Sequence, residues 1–168
     1  MQKPETAPLI LTLRLCASDA GFFNTQRKLY FPAERNHLEA HLMLFHQLPA
    51  EPATYHYLSD LRHPGFFLEV VGLMNLGAGV AYRMDSPELL ALHRSIKAHF
   101  DPSLIPQDRQ GFRPHVTIMN KSTPAKAREL LAKLTPGFRP FAVEVTGLDL
   151  WTYLGGPWQH ATYFSFTE

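Results

Sequence analysis

Two histidines in this chain open two similar apolar segments. His41 begins HLMLFHQL, and His115 begins HVTIM. Residues two apart in a strand point to the same face, so His115 shares a face with Thr117, and His41 shares one with Met43 and Phe45. The alternate residues are Leu, Val and Ile, and when these point into the core both imidazoles point out of it. Two such strands side by side would line a groove with two histidines.

Two opposed imidazoles suit proton transfer at a phosphodiester. One neutral imidazole accepts the proton of the attacking water or hydroxyl while one imidazolium protonates the leaving oxygen, and a histidine pKa of about 6.5 allows both forms near neutral pH. A hydroxyl two residues after each histidine can donate a hydrogen bond to a non-bridging phosphate oxygen. Thr117 supplies that hydroxyl, whereas Met43 has none. Loss of one such donor lowers a rate on the order of 10²–10³.

The elements that must carry these residues are predicted from periodicity and capping signals. Ser18, Ser86 and Thr123 each begin a predicted helix as its N-cap, and a short helical segment lies near 52–61. In the first helix the apolar spacing leaves Arg27 and Lys28 on the outer face. Strands are predicted at 9–15, 41–46, 115–119, 139–146, 148–153 and 160–166, with two more around a glycine turn in 65–84. The order predicts an α+β fold in a single domain, 1–168.

The histidine segments resemble a known family. HVT at 115–117, preceded by RP, resembles the His-x-Thr signature of the two-histidine phosphoesterases, which include 2'-5' RNA ligases and 2',3'-cyclic nucleotide phosphodiesterases. HLM at 41–43 lies 74 residues earlier, where the first copy of that signature is expected. The strand pair FFLEVVGLMNLGAGVAYRM and the capped helix SPELLALHRSI between them are also similar to the family. The resemblance covers roughly residues 9–166.

The resemblance implies a bilobal α+β fold, with two antiparallel β-sheet lobes flanked by helices around a central groove. It implies a metal-independent reaction, without a cofactor, at 2',3'-cyclic phosphate ends or 2'-5' linkages of RNA or nucleotides. His41 and His115 would be the acid and base, in an order left open, and Thr117 would bind phosphate. Met43 and Arg113 are the expected substrate-binding residues, Arg113 because a guanidinium matches phosphate geometry. The rival hypothesis is a catalytically attenuated nucleotide or RNA-end binding module of the same fold.

Two further hypotheses about functional residues stay open, a metal site and an aromatic platform. HLEAH at 37–41, with His46 nearby, offers three histidines for a metal hydrolase, although its glutamate matches neither common zinc-helix pattern. Trp151, Tyr153 and Trp158 are either core and edge aromatics or a platform on which a base stacks.

Composition limits the class of protein. The net charge of +1 does not provide the basic surface typical of duplex-binding proteins. The lone cysteine, Cys16, alternates with leucines, which predicts a strand residue with a core or near-core thiol, and a single cysteine excludes an internal disulfide. The N-terminus is a poor signal peptide, and no apolar run approaches the roughly 20 residues of a membrane helix. We expect a cytoplasmic protein with no membrane association and no obligate protein partner.

Overall fold

A computed structural model of the chain describes residues 7–167. Within them the strands and helices follow in the order β1 Leu9–Leu15, α1 Ala17–Tyr30, β2 Leu42–Leu48, α2 Pro52–Asp60, β3 Phe66–Asn75, β4 Val80–Asp85, α3 Pro87–Phe100, α4 Pro106–Arg109, β5 His115–Met119, α5 Pro124–Leu134, β6 Phe141–Tyr153 and β7 Trp158–Ser165. None of these helices has the length and hydropathy needed to cross a bilayer.

The strands form one connected antiparallel sheet. Their order is β1-β2-β5-β4-β3-β6-β7, and β1 also pairs with β6, which closes the sheet on itself. The long strand β6 joins the two halves, because Val145 pairs with Leu15 of β1 on one edge and with Phe66 of β3 on the other. The α+β class predicted from the sequence is confirmed, and the closed sheet is compatible with the predicted two-lobed arrangement.

The helices cover the two halves in separate groups. Helix α1 packs on β4, where Phe23 lies 5.5 Å from the ring of Tyr82 and the Tyr82 hydroxyl donates to Gln26 at 2.9 Å. Helix α3 packs on β2, where the His93 ring stacks on Phe45 at 4.5 Å and donates through Nε2 to the Leu44 carbonyl. The residues that the two helices cover, Tyr82 and Phe45, belong to one hydrophobic core on a single face of the sheet.

Local capping signals determine where two helices begin. The Ser86 hydroxyl accepts the Leu89 N–H at 3.1 Å, and the Thr123 hydroxyl accepts the Lys126 N–H at 3.2 Å, so both predicted caps are confirmed. The prediction for Ser18 is wrong, since α1 begins at Ala17 and Cys16 occupies the N-cap position. The Cys16 thiol is half-buried and donates to Asp19, so it is neither a strand residue nor a core thiol.

Two predictions about strands are also wrong. The strands expected at 139–146 and 148–153 are one strand, β6. Gly147, the residue between the two predicted strands, is required by packing, since a Cβ there would overlap the Phe164 carbonyl oxygen of β7. In β2 a bulge lies between the pairs Thr12–Met43 and Leu11–Phe45. Phe45 is therefore turned into the core and is fully buried, instead of sharing the face of His41.

Candidate functional site

The two histidine strands are neighbours in the sheet. β2 pairs with β5 through Leu42 and Val116, and both of these residues are buried. In this antiparallel register His41 lies across from Thr117, and Met43 lies across from His115. All four are half-buried on the face opposite the core. The structure thus brings together four of the five site residues predicted from the sequence.

Both imidazoles are held in the same tautomer by backbone carbonyls. Nδ1 of His41 lies 2.9 Å from the Glu39 oxygen, and Nδ1 of His115 lies 2.7 Å from the Arg113 oxygen. A carbonyl can only accept, so each Nδ1 carries the proton and donates it. Each Nε2 is left free for proton exchange with a ligand.

The electrostatic environment of His41 favours the neutral ring. Burial lowers the pKa of His41 to about 4; the hydrogen bond to Glu39 opposes this shift, while Arg27 and His115 reinforce it. His41 is therefore uncharged at neutral pH. In that state its Nε2 is a proton acceptor.

Arg27 borders the site, and its predicted position on the outer face of the first helix is wrong. It is buried, not on the outer face of α1. Its Nη1 donates to the Thr117 carbonyl and its Nε donates to Asn36, both at 3.1 Å, while the guanidinium lies 4.2 Å above the Phe31 ring. Burial lowers the pKa of Arg27. Its spacing of four residues from Phe23 was the signal available, because such residues share a helix face.

A cavity with cationic walls lies on one side of His41 and Thr117. Arg27, Arg35 and Lys121 contribute to its lining. Lys121 has a left-handed backbone with φ of 55°, and its N–H donates to the side chain of Asn120 at 2.9 Å. Such conformations are uncommon for residues other than glycine and cluster at ligand sites. The charge of this cavity suits an anion.

Aromatic side chains form a second wall beside His41. The ring of Trp158 lies 4.7 Å from the His41 ring, and Trp151 lies 6.0 Å from Trp158. Trp151 is fixed by a 2.9 Å hydrogen bond from its Nε1 to the Thr12 hydroxyl. Both tryptophans line one cleft together with His41, whereas Tyr153 is exposed.

On the other side of His41 lies a cavity lined by His41, Met43, His115 and Arg113. Arg113 is exposed, and its carbonyl is the acceptor for His115. The three other predicted site residues, Met43, Thr117 and Arg113, therefore all lie beside the histidine pair. His46 also lines this cavity, and its ring Nδ1 donates to Asp108 at 2.8 Å. The sequence offered no signal for Asp108, which lies 62 residues away from His46.

The three-histidine metal hypothesis has no support in the geometry. Residues 37–41 are not helical, so His37 and His41 are not presented on one helix face. Between residues 7 and 167 no group of three His, Cys, Asp or Glu side chains is placed to hold a metal ion.

Comparison with known proteins identifies a matching family and several solved structures of similar fold. The model of the 2'-5' RNA ligase superfamily matches residues 17–157. The fold is similar to that of E. coli LigT complexed with 3'-AMP, with 20% identity, a TM-score of 0.67 and coverage of 98% of this chain and 100% of that chain. A crystal structure of a phosphoesterase matches at 19% identity and a TM-score of 0.67, with coverage of 98% and 100%. E. coli LigT complexed with NADP+ matches at 20% identity and a TM-score of 0.63, with the same coverage. No curated protein has a significant sequence match.

Proposed function

The chain belongs to the 2'-5' RNA ligase superfamily, and from this premise we propose that it is a metal-independent phosphoesterase. Its substrates are 2',3'-cyclic phosphates or 2'-5' phosphodiesters of RNA or nucleotides. One observation carries the proposal: on adjacent strands, His41 and His115 both donate through Nδ1 to the backbone, which leaves two Nε2 atoms for one phosphate.

The proposed reaction is acid–base catalysis by this pair. His41 is the base, because its lowered pKa keeps Nε2 unprotonated at neutral pH. It takes a proton from water as the water oxygen bonds to phosphorus. The bond from phosphorus to one ribose oxygen breaks, and the His115 imidazolium protonates that oxygen from Nε2. A phosphomonoester leaves, and exchange of one proton with solvent at each histidine restores the pair.

The two histidine strands differ in the hydrogen-bond donors that they offer to the phosphate. Thr117 carries a hydroxyl on the groove face, and the Arg27 guanidinium holds its carbonyl. This hydroxyl donates to a non-bridging oxygen on which charge increases in the transition state. Met43, across from His115, cannot donate. Arg113 and the cationic cavity add positive charge near the phosphate.

The test is turnover of 2',3'-cyclic mononucleotides and short cyclic-ended RNAs in EDTA. We expect His41→Ala and His115→Ala each to lower kcat by roughly 10²–10⁴, the usual effect of losing a general acid or base. Thr117→Ala should lower it on the order of 10²–10³ through loss of one transition-state donor. Met43→Thr should raise it by restoring a donor.

The matched control is His56→Ala, which removes an exposed histidine of α2 outside the groove and should leave turnover unchanged. Absence of turnover by the unmodified protein on every substrate would contradict the proposal. If nucleotide binding persisted in that case, the groove would be a binding site without catalysis.

A further inference from the structure

The groove side of β2 carries a third histidine that the proposed acid–base pair does not use. The bulge in β2 sends Phe45 into the core and leaves the next residue, His46, exposed. His46 lines the same cavity as His41, Met43 and His115. Bulges beside active sites commonly re-aim a side chain in this way.

The orientation of His46 is set by a buried carboxylate. The Asp108 side chain is 1% exposed, while that of His46 is 40% exposed. Asp108 accepts the ring Nδ1–H of His46 at 2.8 Å and the backbone N–H groups of His46 and Gln47 at 2.9 and 3.0 Å. Burial alone would raise the pKa of Asp108, but these hydrogen bonds outweigh it and lower the pKa. The pair is thus an ionised carboxylate and a ring of fixed tautomer.

The second ring nitrogen of His46 has only a weak partner. Its Nε2 lies 3.3 Å from the amide Nε2 of Gln107, which donates to it, on the cavity wall that both residues share. Once protonated, this ring nitrogen becomes a donor, and Gln107 no longer donates to it. With Nδ1 committed to Asp108, the imidazolium form has one N–H to offer, at Nε2. A charge-assisted hydrogen bond from that N–H to a phosphate oxygen is of the shorter and stronger kind.

We propose that His46, positioned by Asp108, binds the substrate phosphate and supplies the hydrogen-bond donor that Met43 lacks. The inference rests on the proposed function for the identity of the ligand, which is the phosphate of the cyclic or 2'-5' ester. Met43 and His46 lie on the same strand and border the same cavity. The N–H of His46 can therefore take the place of the hydroxyl that is missing at position 43.

A two-by-two set of variants tests the replacement: the unmodified protein, His46→Ala, Met43→Thr and the double variant. Two quantities are measured for each, kcat/KM on a 2',3'-cyclic nucleotide and the Kd of 2'-AMP by calorimetry. We expect His46→Ala to weaken both by roughly 10- to 100-fold, the usual effect of one hydrogen bond to a charged group. Met43→Thr should restore most of that loss in the His46→Ala background and change the unmodified protein much less.

His160→Ala is the matched control. That histidine is 41% exposed and also contacts a buried carboxylate, Asp149, at 2.8 Å, so it reproduces the local chemistry outside the cavity of His46. It should leave both quantities unchanged. Asp108→Asn should reproduce the His46→Ala loss of affinity, and Met43→Thr should again restore it, which a loss of folding would not allow.

The outcomes separate this inference from the proposed function. If His46→Ala leaves both quantities unchanged, or if Met43→Thr acts equally in both backgrounds, the inference is overturned while turnover stands. If no variant turns over but His46→Ala weakens binding of 2'-AMP and Met43→Thr restores it, the phosphate contact is supported and catalysis is not.

Discussion

The partly buried position of His41 determines the pH range in which the proposed reaction runs. A base must be unprotonated, and protonation of Nε2 removes the acceptor. Because the pKa of His41 is lowered to about 4, the neutral ring is retained from neutral pH down to about that value. An unperturbed histidine would already be half protonated near pH 6.5.

The corresponding prediction concerns the acid side of the pH profile. We expect kcat/KM to hold between pH 7 and 5 and to fall only as the pH decreases through about 4, since kcat/KM reports groups of the free enzyme. Circular dichroism at each pH verifies that the protein remains folded. A decline centred near pH 6.5 in folded protein would assign the base to a different group.

Between elements, Arg27 is the link from helix α1 to strand β5. Its guanidinium joins the helix to the carbonyl of Thr117 and to Asn36, so the strand that carries His115 is tied to the helix. We expect Arg27→Met to lower the free energy of unfolding by about 1–3 kcal/mol, because it leaves a buried carbonyl without its donor. Urea unfolding measures this change, and turnover should fall with it as Thr117 loses its support.

The neighbouring residue provides the control for that link. Lys28 is exposed on the same helix, so Lys28→Met removes a similar charge without breaking a contact of β5. It should change the free energy of unfolding by no more than about 0.5 kcal/mol, as surface substitutions usually do. Equal effects of the two variants would show that the Arg27 contacts do not stabilise the fold.

Helices and strands that are specified by neighbouring residues in the sequence were predictable. Side-chain orientations that depend on contacts with distant segments were not. The caps at Ser86 and Thr123 act within four residues, and residues 41–44 and 115–118 follow a simple alternation of half-buried and buried side chains. The burial of Phe45 depends on a bulge against β1, and the burial of Arg27 depends on the carbonyl of Thr117. The bulge partner of Phe45 and the carbonyl that accepts from Arg27 both lie outside the local pattern, although the four-residue spacing of Arg27 from Phe23 already indicated its buried helix face.

Across the whole molecule, the closure of the sheet assembles the parts of the site that no motif marked. Trp158 reaches His41 because β7 pairs with β6 and β6 pairs with β1, which in turn pairs with β2. Asp108 reaches His46 because α4 packs beside β2. The histidine pair was predictable from a repeated strand pattern. The aromatic wall beside it and the orientation of His46 depend instead on contacts between distant segments.

Gly147 is the position where this closure can be tested. There β6 changes its neighbour from β3 to β7 while β1 remains on the other edge. A Cβ at Gly147 would overlap the Phe164 carbonyl and lie 2.7 Å from a ring carbon of Tyr163. We expect Gly147→Ala to lower the free energy of unfolding by roughly 1–3 kcal/mol, as overpacking does.

Displacement of β7 should also alter the fluorescence of Trp158 and reduce turnover, because that strand carries the wall beside His41. Gly21→Ala is the control with the opposite sign: Gly21 lies within α1 with no atom near its added Cβ, so this variant should stabilise the protein by about 0.5–1 kcal/mol. Urea unfolding measures the free energy of unfolding of both variants. If Gly147→Ala is as stable as the unmodified protein and keeps its fluorescence, β7 can shift without disturbing the groove, and the wall does not depend on closure of the sheet at this glycine.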